Sequence, residues 1–265
     1  MQIPFSKYQG TGNDFVIIDQ REITYLTRED TPIIKYLCDR RFGIGADGLI
    51  LLQQKEAYDF EMVYFNSDGR ESSMCGNGGR CITAFAKQIG IQKSSYHFLA
   101  IDGPHDALIR EDEWVELKMG DVSNIEDGKD YYYLNTGSPH YVAFVEDLDD
   151  INIVREGQAI RYSDRFRKEG TNVNFVEATE DLIEVATYER GVEDETLSCG
   201  TGVTAAAIAY YLEKPSKQRQ LVNIRSKGGD LQVRFQPKGN EFTSIWLCGP
   251  ATLVFQGTLE MPPYG

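Results

Sequence analysis

The chain has 265 residues, 41% of them hydrophobic and 26% charged, with a net charge of −14. That size builds a globular core in one large domain or in two of about 130 residues, and the acidic balance argues against a phosphate-backbone partner, which needs a basic footprint. No apolar run approaches the ~20 residues that cross a bilayer. The start, Met1-Gln2-Ile3-Pro4-Phe5, carries no basic stretch ahead of an apolar one, so we expect no leader, no membrane segment and a cytoplasmic location. Five cysteines are an odd count for a disulfide scaffold and read as reduced thiols.

In chain order, strands dominate. Residues 15–18 predict the first strand, and Thr31-Pro32 predicts a helix with Thr31 as N-cap and Pro32 at its first position. Ile33, Ile34, Leu37 and Cys38 then mark one face. Gly43-Ile44-Gly45-Ala46-Asp47-Gly48 spells the dinucleotide fingerprint, but that motif needs a strand before it and a helix after it. Here a helix precedes and a strand, 49–52, follows, so nucleotide binding is rejected. Further strands are predicted at 60–65, 114–119, 141–145, 182–188, 221–225, 231–235 and 251–255, many alternating apolar with polar as half-buried antiparallel strands do. Helix-prone runs cover 80–89 and 203–212. The second has almost no polar face and is stopped by Pro215, which implies a sheet curled around a central helix.

An internal repeat organises these elements. Met74-Cys75-Gly76-Asn77-Gly78 and Ser198-Cys199-Gly200-Thr201-Gly202 lie about 124 residues apart, each opening a helix. Gly12-Asn13-Asp14-Phe15-Val16 is echoed by Gly137-Ser138-Pro139-His140-Tyr141-Val142. Phe65-Asn66 and Tyr188-Glu189 end strands at similar distances before the two cysteines. The expected fold is therefore α/β (α+β): two pseudo-symmetric lobes, each a mostly antiparallel sheet curled around a central helix, with equivalent loops facing one cleft. Residues 1–117 form the lobe carrying Cys75 and 118–249 the lobe carrying Cys199. The sequence leaves open whether 250–265 return to the first.

Cys38, Cys81 and Cys248 read as small buried hydrophobes. Cys75 and Cys199 do not, because glycines follow each where backbone approaches a ligand, and a helix start favours an ionised thiol and binds anions. Two thiols across one carbon form a base and an acid that invert a stereocentre; a disulfide between them would be an oxidised, inactive form. A non-catalytic amino-acid binding protein would explain the glycines but not a thiol in each half. The three histidines are isolated and no Cys-x-x-Cys pattern occurs, so no metal site is expected. His140 lies in the repeat-equivalent loop, beside Ser138. Glu189-Arg190 reads either as an ion-paired strand end or as a contact for an amino acid bearing both charges.

These residues resemble the diaminopimelate epimerase family. The resemblance runs through Gly10-Thr11-Gly12-Asn13-Asp14-Phe15, Gly43-Ile44-Gly45-Ala46-Asp47, Phe65-Asn66-Ser67-Asp68-Gly69, Met74 to Cys81, Asn172-Val173-Asn174-Phe175, Tyr188-Glu189-Arg190-Gly191 and Ser198 to Gly202. It implies cofactor-independent interconversion of LL- and meso-diaminopimelate, on the route to lysine and peptidoglycan, by a homodimer acting on a small molecule. Carried over by motif, Cys75 and Cys199 are the acid/base pair, and Gly76, Asn77, Gly200 and Thr201 hold the reacting carboxylate. Asn13, Asn66, Asn172, Glu189 and Arg190 bind the substrate, while His140 and Glu189 tune the thiols. Related proline racemases carry Gly-His-Gly after the first cysteine, and the phenazine-biosynthesis-like branch lacks the pair. Two departures stand out: many members have Asn at Ser138 and Gln at Gly48, so a contact from each position is expected to be shortened or lost.

Overall fold

The computed structural model describes residues 2–179, 181–214 and 220–260. In chain order its elements are β1 (Gln2–Gly10), β2 (Asn13–Asp19), α1 (Thr31–Cys38), β3 (Gly48–Gln53), β4 (Phe60–Asn66), α2 (Gly76–Gln88), β5 (Ser95–Ala100), β6 (Gly103–Ile109) and β7 (Val115–Lys118). There follow β8 (Glu126–Asp127), β9 (Tyr132–Asn135), β10 (Pro139–Val145), α3 (Ile153–Arg161), β11 (Asn172–Ala178), β12 (Ile183–Glu189) and β13 (Asp194–Thr196). The last are α4 (Gly200–Glu213), β14 (Leu221–Ser226), β15 (Gly229–Lys238), β16 (Glu241–Gly249) and β17 (Thr252–Glu260). The chain divides into two compact units, Met1–Leu117 with Pro250–Gly265, and Lys118–Gly249.

Each unit follows one plan. In the first, β17 pairs antiparallel with β1 and β1 with β2; β2 runs parallel to β3, β3 antiparallel to β4, and β4 parallel to β5; β5, β6 and β7 then form an antiparallel series. In the second, β8, β9 and β10 are antiparallel, β10 runs parallel to β11, β11 antiparallel to β12, and β12 parallel to β14; β14, β15 and β16 are antiparallel. A parallel pair needs a crossover, and each of the four is bridged by a helix. The repeat of the sequence is thus a repeat of architecture, a mixed α/β fold with mostly antiparallel sheets.

The two crossovers of a unit lie on opposite faces of its sheet. In the second unit Val173, Phe175, Ala186 and Tyr188 pack with Ile153 of α3, whereas Val142, Val176, Ile183 and Val185 pack with α4. Covered on both sides, β11 is buried continuously from Asn172 to Val176. α4 is buried from Gly202 to Tyr210, its alanines letting β9–β12 and β14–β16 approach all around it. α1 and α2 take the corresponding places in the first unit, α1 against Leu49 and Leu51, α2 against β1, β2, β3, β6 and β17.

Boundaries shift at three places. Asp30, not Thr31, is the N-cap of α1; Thr31 is its first residue, and the Asp30 carboxylate instead accepts from the backbone and hydroxyl of Thr27 at 2.7 and 2.9 Å. α2 and α4 begin earlier than their helix-prone runs, at Gly76 and Gly200, so that each cysteine is itself the N-cap. Pro215 lies outside the described residues; the Lys214 N–H closes α4 on the Tyr210 carbonyl. α3 escapes sequence reading because Gly157 interrupts its helix propensity. A Cβ there would stand 2.4 Å from that of Tyr188, so the glycine serves packing onto β12.

Candidate active site

Both cysteines end a loop leading from the carboxyl side of a strand to a helix N-terminus, the place where α/β sheets bind ligands. In the first unit Cys75 is extended (φ −99°, ψ 146°) and half-buried, and its Sγ accepts the Gly78 N–H at 3.2 Å. The helical ladder starts with Gly79 N–H to the Cys75 carbonyl, 2.8 Å. Earlier N–H groups have no helical acceptor, so the turn carries partial positive charge.

Beneath this turn lies Arg80, completely buried. Its guanidinium donates to Asn77 Oδ1 (2.9 Å), Thr11 Oγ1 (3.1 Å) and the Gly76 carbonyl (3.4 Å). Asn77 in turn donates to Asn13 Oδ1, and Asn13 donates to Asp47 Oδ2 at 3.0 Å. Asp47 shares Arg40 with Asp14, which also meets Lys7 at 2.8 Å. Burial pushes the Asp14 carboxyl up, but hydrogen bonds from Arg40 and Lys7 prevail and hold it at about 2. Asn13 and Asn77 are therefore oriented by a charged framework.

Asn66 is exposed at the end of β4, opposite Gly48. A Cβ at Gly48 would stand 2.5 Å from both the Phe65 carbonyl and the Tyr64 ring. The glycine therefore leaves no gap: Tyr64, held edge-on by Phe15, fills the volume a side chain would take.

In the second unit Cys199 is extended (φ −118°, ψ 110°) and buried, without a side-chain cap bond. Its Sγ lies 3.5 Å from Thr201 Oγ1. The Thr201 carbonyl accepts the Thr136 hydroxyl at 2.8 Å, fixing the helix start. His140 is completely buried, with Nε2 2.9 Å from Thr201 Oγ1 and Nδ1 3.0 Å from Asn174 Nδ2. Burial above all, against the hydrogen bond with Asn174 and helped by the nearby Arg190 charge, lowers its pKa to about 3, so the ring is neutral at ordinary pH. His140 thus reaches the Cys199 sulphur through a hydroxyl rather than directly.

Asn172 is buried and braces two backbone segments, donating to the Pro139 carbonyl (3.1 Å) and accepting the Arg190 N–H (2.9 Å). Arg190 donates to the Glu169 carbonyl at 2.8 Å and reaches Ser138 Oγ at 3.5 Å. Ser138 therefore retains a polar contact with this arginine. Burial raises the Glu189 carboxyl above its usual range, opposed by the Thr196 hydroxyl. Among the described residues neither Glu189 nor Arg190 forms a salt bridge.

Arg80, Thr136, Asn174 and Thr187 support these groups without having been assigned a role from sequence. Only Asn174 left a trace, as a polar residue inside the apolar run Val173 to Val176. The other three thiols are buried; burial pushes Cys38 up to about 12 and Cys81 further upward. No group of three or more metal-ligating side chains is found among the described residues, and none of their helices is long and apolar enough to cross a membrane.

Each of the two units of this α/β plan places a cysteine at the N-terminus of a buried helix. The family model for diaminopimelate epimerase matches residues 5–125 and 132–254. The chain is 50% identical over 254 residues to diaminopimelate epimerase of Flavobacterium psychrophilum, covering 96% of this chain and 98% of that one. It is 43% identical to the enzyme of that name from Chlorobaculum tepidum, covering 95% and 99%. The chain belongs to the diaminopimelate epimerase family. Among solved structures it is similar to a Bacillus anthracis phenazine biosynthesis protein of the PhzF family, with TM-score 0.77 and 15% identity over 98% of this chain and 99% of that one. A hydroxyproline epimerase from Agrobacterium vitis gives TM-score 0.69 and 14% identity, over 99% and 94%. At those identities the likeness establishes the fold alone.

Proposed function

We propose that the protein interconverts LL- and meso-2,6-diaminopimelate by proton transfer between two thiols and one α-carbon. The observation that carries this is the duplicated helix start, with a cysteine N-cap at both Cys75 and Cys199. One cysteine, as thiolate, takes the α-proton as the C–H bond breaks. The partner thiol gives its proton to the opposite face, and the roles are exchanged at the end. A free thiol titrates near ~8.5, close enough to neutral to serve in either role.

Charge that develops on the α-carboxylate is stabilised by N–H groups at Gly76-Asn77 and Gly200-Thr201, preorganised by the helices. Asn13, Asn66, Asn172, Glu189 and Arg190 bind the substrate, chiefly its non-reacting end, and His140 and Glu189 tune the thiols. The transfer involves no redox change; the two thiols carry the proton and the helix-start N–H groups offset the developing charge. The product feeds lysine and peptidoglycan precursor synthesis in a reducing cytoplasm that keeps the thiols apart. Consecutive exposed apolar residues on β17, Leu253, Val254 and Phe255, favour a homodimer; a monomer in sedimentation would overturn that part.

The reaction is tested by supplying LL-diaminopimelate in deuterium oxide. Deuterium at the α-carbon of the meso product is expected. Exchange with proline or hydroxyproline instead would assign a racemase, and binding without exchange would leave an amino-acid receptor.

A further inference from the structure

We propose that Asn174, His140 and Thr201 form a one-way hydrogen-bond relay that aims the Thr201 hydroxyl proton at the Cys199 sulphur, making Thr201 and Asn174 positioning residues for that thiolate. The inference rests on the reading of Cys199 as an acid/base group.

Its direction is set at the buried end. Asn174 Oδ1 accepts the Thr187 hydroxyl at 2.9 Å, and Nδ2 donates to the Tyr141 carbonyl at 3.0 Å. Turning the amide over would set oxygen against the Tyr141 oxygen, so these partners fix it. The same Nδ2 lies 3.0 Å from His140 Nδ1, which must accept. A neutral imidazole with Nδ1 accepting carries its proton on Nε2. Nε2–H then donates to Thr201 Oγ1 at 2.9 Å. With its oxygen accepting from His140, the Thr201 hydroxyl has its own proton to give, and Cys199 Sγ lies 3.5 Å away.

The groups facing His140 are Asn174 from β11, Thr201 from α4 and the Arg190 charge at the end of β12. Arg190 disfavours an imidazolium by charge and Asn174 favours one only through a hydrogen bond; burial outweighs it, so the ring stays neutral and the relay keeps its direction around neutrality. Asn174, Thr187 and His140 are all buried, and their order survives fluctuations of the surface. The Cys75 sulphur takes a backbone N–H from Gly78.

Two measurements on the full-length protein test this without substrate. The rate of iodoacetamide alkylation, mapped by peptide mass spectrometry, gives the titration midpoint of each thiol. A hydrogen bond to a charged acceptor is worth about 1.5–3 kcal/mol, so Thr201→Val should raise the Cys199 midpoint by about one to two units and leave Cys75 in place. Thr201→Ser should restore it. An unmoved Cys199 midpoint in Thr201→Val, or a serine variant that behaves like valine, would overturn the relay. Imidazole nitrogen NMR of the unmodified protein, which has three histidines, should show His140 neutral and protonated at Nε2; an Nδ1–H tautomer would reverse the direction and sink the proposal. An intact relay without α-proton exchange would instead reject the epimerase reading and leave the relay standing.

Discussion

At Gly76 and again at Gly200 the chain leaves a strand, turns through an extended cysteine and enters a buried helix, yet the surroundings of the two sulphurs differ. The first turn rests on a buried guanidinium, Arg80, which draws down the side chain of Asn77. The second rests on a neutral imidazole, His140, which leaves Thr201 facing its cysteine. Cys75 itself caps its helix through Gly78, whereas Cys199 has no cap bond. The duplicated backbone supplies what both thiols need, a helix start that favours negative charge. The side chains then distinguish them, one by a buried cation and the other by a neutral relay.

The largest effect expected is loss of either thiol. Cys75→Ala and Cys199→Ala should each lower epimerisation by about a thousandfold, since on the proposed scheme each removes a proton-transfer group. The comparison sharpens in stability, read by denaturant unfolding. Cys75→Ala loses an N-cap bond and should cost about 1 kcal/mol, while Cys199→Ala should cost less. Near-wild-type turnover in either variant would break the two-base scheme, and equal stability losses would break the contrast between caps.

Acid separates the two helix starts next. Burial lowers the His140 pKa from 6.5 to about 3. Between those values the unfolded chain binds a proton that the folded chain refuses, so the stability contribution is complete above 6.5 and is lost as pH falls toward 3. Two units below 6.5 the loss should reach about 3 kcal/mol. Asp14 in the first unit, lowered from 3.8 to about 2, contributes stability that is lost only in stronger acid. Comparing unfolding of the parent with His140→Gln over pH 6.5 to 4.5, about two units, isolates the histidine: the parent should weaken relative to the variant. Parallel pH curves would show that His140 titrates normally.

Much of the site was legible because repetition in sequence reflects repetition of backbone. The two cysteine motifs, and strands such as β14, where Val222, Ile224 and Ser226 alternate inward, follow from local pattern. What escaped depends on partners distant in sequence. Gly157 conceals α3 because its reason is Tyr188, and Arg80 reads as an ordinary helix residue until Thr11 and Asn77 close over it. Gly48 looked like a lost contact, yet the ring that fills its place comes from Tyr64 on the neighbouring strand. The Asn174 amide acquires a direction only when Thr187 and Tyr141 are beside it.

A last contrast concerns the glycine three residues beyond each cysteine. A Cβ at Gly202 would stand 2.5 Å from Asn174 Oδ1, an oxygen already held by Thr187 and unable to withdraw without turning the amide. A Cβ at Gly78 would meet the Met62 methyl at 3.3 Å, the far end of a flexible side chain. Alanine gains up to about 1 kcal/mol of helix propensity over glycine at either position, and that gain can show only where space exists. Gly202→Ala should therefore cost about 2 kcal/mol through overpacking and displace the His140 tautomer seen by nitrogen NMR. Gly78→Ala should remain within about 0.5 kcal/mol of the parent. Denaturant unfolding of both variants decides the matter: equal costs would mean that the second helix start has room to yield, and that the contact between α4 and Asn174 does not set the imidazole.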